Sequence, residues 1–170
     1  MKLGILAASG RMGRAVIEAA ESNLLDYSLI FWDRAETKNA KIKASQYFVA
    51  LPQLADFVAA CDLIIDFSAP QLSLNCLALA AQQKTPLICG TTGFTESEFA
   101  QLSNDAQKTP FFWSSNMSIG VSLLNQLVAL AAKKLPKNNQ FEILELHHQH
   151  KKDAPSGTAK TLAETALQAR

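Results

Sequence analysis

Lys2–Gly13 reads KLGILAASGRMG, an apolar run followed by a loop of small residues and then by the start of a helical pattern. Lys2–Ala7 predicts a buried strand, and Arg11–Ser22 has the apolar spacing of a helix. The loop Ala7–Gly13 has the spacing of a G-x-x-G-x-x-G loop with alanine in the first place. Small residues there let main-chain N–H groups at a helix start approach a phosphate. Because strand-to-helix turns favour glycine in any case, the loop alone is weak evidence for a dinucleotide site.

The same alternation of apolar runs and helical patterns continues along the chain. Further strands are predicted at Tyr27–Trp32, Asp62–Phe67, Pro86–Cys89 and Pro110–Trp113. Further helices are predicted at Pro52–Ala60, Pro70–Gln83, after the capping-box pair Thr95 and Glu98, and at Ser118–Leu135. The polar segment Ala35–Gln46 is predicted to be a surface loop. Five strands separated by helices predict a doubly wound α/β domain with a parallel sheet.

In such sheets ligands bind beyond the carboxyl ends of the strands. The loops expected at that edge are Ala7–Gly13, Asp33–Arg34, Phe67–Pro70, Gly90–Gly93 and Ser114–Met117. Asp33 stands 20 residues after Gly13 at the end of the second strand, where an acid can accept hydrogen bonds from ribose hydroxyls. Arg34 can pair with a 2′-phosphate, so NADH and NADPH both fit. The alternative is a solvated Asp-Arg turn.

Length and composition exclude several classes of protein. The chain has 170 residues, 16 basic and 15 acidic side chains and 48% hydrophobic residues, which is typical of one globular domain or one domain and part of a second. A net charge of +1 gives no general attraction to nucleic acid or membrane, and no run reaches the length of a membrane span. Met1–Ala8 lacks the apolar core of a secretory signal. Three scattered cysteines predict buried, reduced thiols, so we expect a cytoplasmic protein.

All three histidines lie between positions 147 and 150. The preceding residues Phe141–Leu146 read as a strand, which would put His148 and His150 on one face and His147 on the other. Zinc binding is one interpretation, but no further ligands stand at metal spacing, and an exposed polar strand end is another. The functional interpretation adds the Lys151 ammonium and the helix that opens at Ser156-Gly157-Thr158, an anion site. Together they predict a protonatable, cationic pocket suited to reduction of a small carboxylate substrate.

The segment Glu145–Ala159, with the pattern H-H-x-x-K-x-D-A-P-S-G-T-A, resembles the signature of the 4-hydroxy-tetrahydrodipicolinate (dihydrodipicolinate) reductase family of diaminopimelate and lysine biosynthesis. The resemblance extends in order along the chain through Gly10–Gly13, Asp33-Arg34, Gly90–Phe94 and Ser115–Val121.

This resemblance implies that NADH or NADPH reduces a small heterocyclic dicarboxylate, giving tetrahydrodipicolinate and water. By analogy, His147 would be the acid/base residue and Lys151 the proton donor, while His148, Gly157 and Thr158 would bind substrate carboxylates. The implied cofactor-binding residues are Ala7, Ala8, Ser9, Gly10, Arg11 and Met12 at the pyrophosphate, Asp33 and Arg34 at the ribose, and Gly90, Thr91, Thr92, Ser114, Ser115, Asn116 and Met117 on the nicotinamide side. The family also implies a homotetramer.

The chain departs from the family in two places. Alanine at position 7 replaces the usual glycine, which costs about 1 kcal/mol if the backbone there needs a positive φ. The family sequence also continues well past the last helix here, so we expect residues 1–117 to form a Rossmann-like dinucleotide-binding domain and residues 118–170 only part of an α+β substrate and oligomerisation domain.

The second departure leaves elements without partners. A strand at Phe141–His148 would need to pair with another chain or with residues absent from this one, and the apolar stripe of a helix at Ser156–Arg170 has little to cover it. An alternative function is therefore a dinucleotide-binding fragment with weak or no turnover, or a subunit that depends on a partner. Another Rossmann-type oxidoreductase acting on amino acids would leave His147–Ala159 unexplained.

Overall fold

The computed structural model describes residues 1–22, 28–33, 53–147, 149 and 154–170, together with the main chain of residues 46–49. These residues form two compact units, Met1–Ser114 and Ser115–Arg170. Several sequence predictions concern residues outside the described ones: the start of the second strand at Tyr27, most of the surface loop, and Pro52.

The first unit is built on one parallel sheet. Its described strands are β1 Lys2–Leu6, β2 Ser28–Asp33, β3 Gln46–Val49, β4 Leu63–Asp66, β5 Leu87–Cys89 and β6 Phe111–Trp113. They are hydrogen-bonded in the order β3-β2-β1-β4-β5-β6, and every neighbouring pair is parallel. The chain winds outward from β1 in one direction and from β4 in the other. The expected doubly wound α/β fold is confirmed, with its switch point between β1 and β4.

The described helices are α1 Arg11–Ser22, α2 Leu54–Ala60, α3 Pro70–Gln83 and α4 Glu96–Ala106 in the first unit, and α5 Ile119–Lys134 and α6 Gly157–Gln168 in the second. α1 and α3 have the predicted bounds, while α2, α5 and α6 are two or three residues shorter than predicted. Thr95 and Glu98 form the predicted capping box at the start of α4. Within the described residues, no helix combines the length and apolar character that crossing a membrane requires.

Both faces of the sheet are covered, which explains the nearly continuous apolar character of β1 and β2. Leu3 and Ile5 pack on one face with Ile17 of α1. Leu6 packs on the opposite face with Phe57 of α2. The sheet is thus held between helices, and its carboxyl edge is set by rigid strands.

One strand was not predicted, and one predicted strand is absent from the described residues. β3 begins at Gln46, the last residue of the segment predicted to be a loop, and continues through three residues for which no element was predicted; pairing with β2 in the register Ile30↔Gln46 satisfies its main chain. The strand predicted at Phe141–His148 is irregular over residues 141–147, and His148 lies outside the described residues. Since the described part of the second unit contains no other strand, residues 141–147 have no ladder to join.

The second unit exposes much of its apolar surface. Ala159 and Ala166 of α6 are buried, but Leu167 on the predicted apolar stripe is 75% exposed. Ile119 and Leu146 are still more exposed, at 88% and 89%. An apolar groove in this unit is lined by side chains of α5, of residues 141–143 and of α6.

Candidate functional site

The loop after β1 is a tight turn that depends on its first residue. Ala7 has φ +57°, in the left-handed region that favours glycine. Its carbonyl accepts a hydrogen bond from Gly10 N at 3.0 Å, and the Gly10 carbonyl accepts one from Arg14 N at 3.0 Å. The positive φ anticipated at this position is confirmed, and alanine occupies it at the cost of strain.

The two glycines of the loop allow close packing. A Cβ at Gly13 would overlap the Ala7 carbonyl oxygen and the main chain of Ala8, and a Cβ at Gly10 would lie 3.1 Å from that same oxygen. The absence of side chains therefore lets the first turn of α1 lie directly against the loop. This is the arrangement that brings helix N–H groups close to a pyrophosphate.

Asp33 is fixed beside this loop. The residue is 4% exposed, and its Oδ2 accepts a hydrogen bond from Ser9 N at 2.6 Å. Ala8 N donates to Trp32 O at 3.3 Å, so β2 holds the loop at two points. The amides of Ala8, Ser9 and Gly10 thus have protein acceptors, whereas those of the first turn of α1, at residues 11–13, have none within the helix. Arg34 lies outside the described residues.

On the other side of the switch point, a buried carboxylate joins the loops after β4 and β5. Asp66 is fully buried, and its Oδ1 accepts hydrogen bonds from Ser68 N at 2.8 Å and from Thr91 Oγ1 at 3.2 Å. Its Oδ2 accepts a hydrogen bond from the Ser73 hydroxyl on α3. The Asp66 carbonyl accepts one from Gly90 N at 2.8 Å. Asp66 and Ser73 were not among the residues predicted from sequence.

The predicted nicotinamide-side residues of the β5 loop differ in accessibility. Thr91 is 3% exposed, and its carbonyl accepts a hydrogen bond from Trp113 Nε1 at 2.9 Å, whereas Thr92 is exposed. Gly90 lies under the ring of Phe67, with which a Cβ at position 90 would overlap. The loops at the ends of β4, β5 and β6 are therefore tied together.

The loop after β6 begins in the first unit and ends in the second. Ser114 N donates to Cys89 O at 3.2 Å within the first unit. Within the second, Asn116 Nδ2 donates to Thr158 Oγ1 at 3.0 Å, and a Cβ at Gly157 would lie 3.3 Å from the Ser115 Cβ. Two residues predicted to bind the cofactor, Ser115 and Asn116, thus lie next to two predicted to bind the substrate, Gly157 and Thr158. Met117 is 40% exposed.

Glu145 organises the histidine signature. Its Oε1 accepts a hydrogen bond from Ser156 N at 2.9 Å, and its Oε2 lies 3.7 Å from His147 Nδ1. The Ser156 hydroxyl in turn caps α6 by accepting from Ala159 N at 3.0 Å. Sequence reasoning missed this role, because a contact between residues eleven positions apart leaves no local spacing signal. His148 and Lys151 lie outside the described residues.

The cysteines are not reactive groups. Burial raises the pKa of the Cys61 thiol to about 12, with a smaller contribution from Asp62. Burial and then the Asp66 carboxylate raise the pKa of Cys89 to about 12, and burial raises that of Cys76 well above its usual value. These thiols therefore stay protonated at neutral pH. Among the described residues no group of His, Cys, Asp and Glu side chains could hold a metal ion.

The parallel sheet, its switch point and the loop after β1 define a doubly wound α/β protein of the Rossmann type. Comparison with family models then identifies two consecutive matches: "Dihydrodipicolinate reductase, N-terminus" over residues 1–117 and "Dihydrodipicolinate reductase, C-terminus" over residues 120–170. The chain belongs to the dihydrodipicolinate reductase family.

Individual relatives agree with this assignment. A 4-hydroxy-tetrahydrodipicolinate reductase of Campylobacter jejuni is 38% identical over 170 residues, covering all of this chain and 63% of the relative. One from Xanthomonas euvesicatoria is 43% identical over 167 residues, covering 98% and 68%. The dipicolinate-bound dihydrodipicolinate reductase of Paenisporosarcina sp. TG-14 superposes with a TM-score of 0.77 at 27% identity, covering 100% of this chain and 66% of that one. The chain thus spans about two thirds of the length of these relatives.

Proposed function

We propose that this chain takes part in NADH- or NADPH-dependent reduction of 4-hydroxy-tetrahydrodipicolinate to tetrahydrodipicolinate, residues 1–117 binding the dinucleotide and residues 118–170 contributing to the substrate site. The observation that carries the proposal is the hydrogen bond from Ser9 N to the buried Asp33 carboxylate, which fixes an acid beside a glycine loop. The relatives named for this reaction support the choice of substrate.

The adenosine half of the cofactor fits the β1–β2 side of the sheet. Gly13 leaves a cradle that a side chain would fill, and the first-turn amides of α1, which have no acceptor within the helix, suit a pyrophosphate. Asp33 would accept hydrogen bonds from the ribose hydroxyls, with Arg34 beside it for a 2′-phosphate. Of the predicted loop residues, Ala7–Gly10 shape the turn, whereas Arg11 and Met12 offer their main-chain N–H groups.

The nicotinamide half would then lie on the β4–β6 side, because a dinucleotide bridges the switch point. The loop at Gly90–Thr92 and the segment Ser114–Met117 would line this half. When bound, the reduced nicotinamide supplies the hydride. The chain's own residues would orient the ring and exclude water from it.

The substrate side depends on the signature that follows residue 144. Gly157 and Thr158 open α6, whose first-turn N–H groups and dipole suit a carboxylate. His147, with Nδ1 near the Glu145 carboxylate, would act as the acid/base residue. His148 and Lys151 keep the roles that the family signature implies, carboxylate binding and proton donation.

We also propose that the chain forms a homo-oligomer through its second unit, as in the tetramer that the resemblance implies. The exposed side chains of Ile119, Leu144 and Leu146 support this, since each is 88–89% exposed and contact with another chain would remove this apolar surface from water. Sedimentation equilibrium of the chain measures the association state, and a strictly monomeric chain at micromolar concentration contradicts this part. The cytoplasmic location stays a prediction.

Calorimetric titration of the chain with NADH and with NADPH tests the cofactor site. We expect saturable binding that Asp33→Ala weakens more for NADH than for NADPH, because the variant removes the ribose acceptor and leaves Arg34 in place. Asp62→Ala is a matched control, since this exposed carboxylate accepts a hydrogen bond from Lys2 N at the opposite edge of the sheet. Absence of binding by either cofactor contradicts the proposal.

Turnover is tested by following NADH oxidation with freshly generated 4-hydroxy-tetrahydrodipicolinate. We expect activity that Lys151→Met and His147→Gln each reduce at least 100-fold. Lys160→Met, at an exposed position of α6, should leave the rate unchanged. Cofactor binding without any turnover assigns the chain instead to the alternative of a dinucleotide-binding fragment.

A further inference from the structure

We propose that Asp66 and Thr91 form a buried clamp that fixes the loops after β4 and β5, and that Thr91 is a positioning residue for the nicotinamide half rather than a direct ligand of the cofactor. This inference rests on the proposed function, since it concerns the same cofactor site.

The clamp is a closed set of hydrogen bonds. Thr91 Oγ1 donates to Asp66 Oδ1 at 3.2 Å and accepts from Ser68 N at 2.9 Å, while Ser68 N also lies 2.8 Å from that same Oδ1. Asp66 Oδ1 and the Thr91 hydroxyl thus connect the loop after β4, at Ser68, to the loop after β5, at Thr91. Both side chains are buried, Asp66 completely and Thr91 to 3% exposure, so water does not compete for these bonds.

The main chain of Thr91 is engaged by the protein as well. Its carbonyl accepts a hydrogen bond from the indole N–H of Trp113 at 2.9 Å. The hydroxyl and the carbonyl of this threonine therefore both point inward, toward Asp66 of β4 and Trp113 of β6. A residue used in this way sets where its exposed neighbour Thr92 lies instead of touching a ligand itself.

The helix side of the clamp explains why the carboxylate keeps its place. The Ser73 hydroxyl on α3 donates to Asp66 Oδ2, and the Asp66 carbonyl accepts from Gly90 N. Asp66 is therefore anchored to a helix, to its own strand and to the next strand. Movement of either loop must break hydrogen bonds to a buried carboxylate, where an unsatisfied group is costly.

The test compares binding of NADH with binding of ADP-ribose, which lacks the nicotinamide, to the same full chain. Thr91→Val removes the hydroxyl with little change of shape. We expect this variant to raise the Kd for NADH about tenfold, because buried hydrogen bonds are lost, and to change the Kd for ADP-ribose by no more than about twofold. Thr91→Ser restores the hydroxyl and should restore NADH affinity.

Thr109→Val is the matched control. Thr109 is a buried threonine of the same unit whose hydroxyl donates to Thr85 O at 2.9 Å, before β5 and β6 begin. It should lower the melting temperature without changing the ratio of the two affinities. If the ratio of NADH affinity to ADP-ribose affinity is the same in wild type and in Thr91→Val, the clamp does not act as a positioning device. If the wild-type chain binds neither ADP-ribose nor NADH, the proposed function fails, and the clamp proposal fails with it.

Discussion

Glu145 accepts a hydrogen bond from the main-chain N–H of Ser156, eleven residues further along the chain. The same carboxylate lies 3.7 Å from the His147 imidazole through its other oxygen. One acidic side chain therefore connects the start of the family signature to the helix that closes it. In the sequence, the implied Lys151 falls between these two residues.

Removal of this bridge should destabilise the second unit. Because Ser156 is 4% exposed, its N–H is left without an acceptor in Glu145→Ala, and we expect the free energy of unfolding to fall by about 1–3 kcal/mol. Glu145→Gln keeps an acceptor oxygen and should lose less. Urea unfolding measures both variants. Glu142→Ala, an exposed glutamate nearby, should stay within about 0.5 kcal/mol of wild type; equal losses at the two positions contradict the bridge.

Ala7→Gly should stabilise the chain. The left-handed backbone at φ +57° costs alanine about 1–2 kcal/mol, part of which is offset by the greater freedom of glycine in the unfolded state, so we expect a net gain of about 0.5–1 kcal/mol. The loop should also bind NADH more tightly without the methyl group. Lys84→Gly is the control, because Lys84 ends α3 at φ +58° far from the loop: it should gain similar stability and leave NADH affinity unchanged.

Gly90→Ala should displace the ring of Phe67. The added Cβ would overlap that ring, and overpacking of this kind costs about 1–3 kcal/mol of stability. Thermal unfolding and NADH titration should both register the change. Gly120→Ala adds the same methyl group in α5, where the nearest atom is the Ser118 hydroxyl at 3.7 Å, and should be neutral or stabilising. Unchanged stability of Gly90→Ala contradicts the close approach.

Stability should fall in alkaline solution because of the buried thiols. An unfolded cysteine ionises near pH 9, whereas the pKa of Cys61 is raised to about 12 by burial. Between these values the unfolded state releases its proton first, so the contribution of Cys61 to stability is complete below pH 9 and is lost as the pH rises toward 12. Cys61→Ala should make this decline shallower by about 1.4 kcal/mol per pH unit. Parallel curves for the two proteins above pH 9 refute the assignment.

The parts of the fold that depend on local signals could be predicted from the sequence. α1 and α3 have the predicted bounds because amphipathic spacing and Pro70 fix them within one segment. β3 is missed by sequence reasoning because its run of strand-forming residues, Tyr47–Val49, is short and follows a polar segment, and pairing with β2 is what makes it a strand. Residues 141–147 were predicted to be a strand but are irregular, because the described part of the second unit offers no other strand with which they could form hydrogen bonds.

The same division holds for the candidate site. The turn at Ala7 and the position of Asp33 follow from spacing within one βαβ unit. The clamp at Asp66 does not, because an acid at the end of an apolar strand looks like an ordinary strand end. Only the parallel register, which sets Asp66 opposite Cys89, brings it beside the β5 loop and Thr91. The Glu145 bridge likewise joins residues eleven positions apart in the sequence, a contact that no spacing rule specifies.

Trp32 and Trp113 are the two tryptophans of the chain, and they stand on opposite sides of the switch point. Trp32 precedes Asp33 in β2 and is 1% exposed, while Trp113 closes β6, with its ring 5.0 Å from that of Phe99 and its N–H bound to the Thr91 carbonyl. Each half of the site therefore contains its own intrinsic fluorophore. Replacing Trp32 with phenylalanine leaves Trp113 as the remaining indole, with its bond to the Thr91 carbonyl intact, so that its emission reports on the loops after β5 and β6.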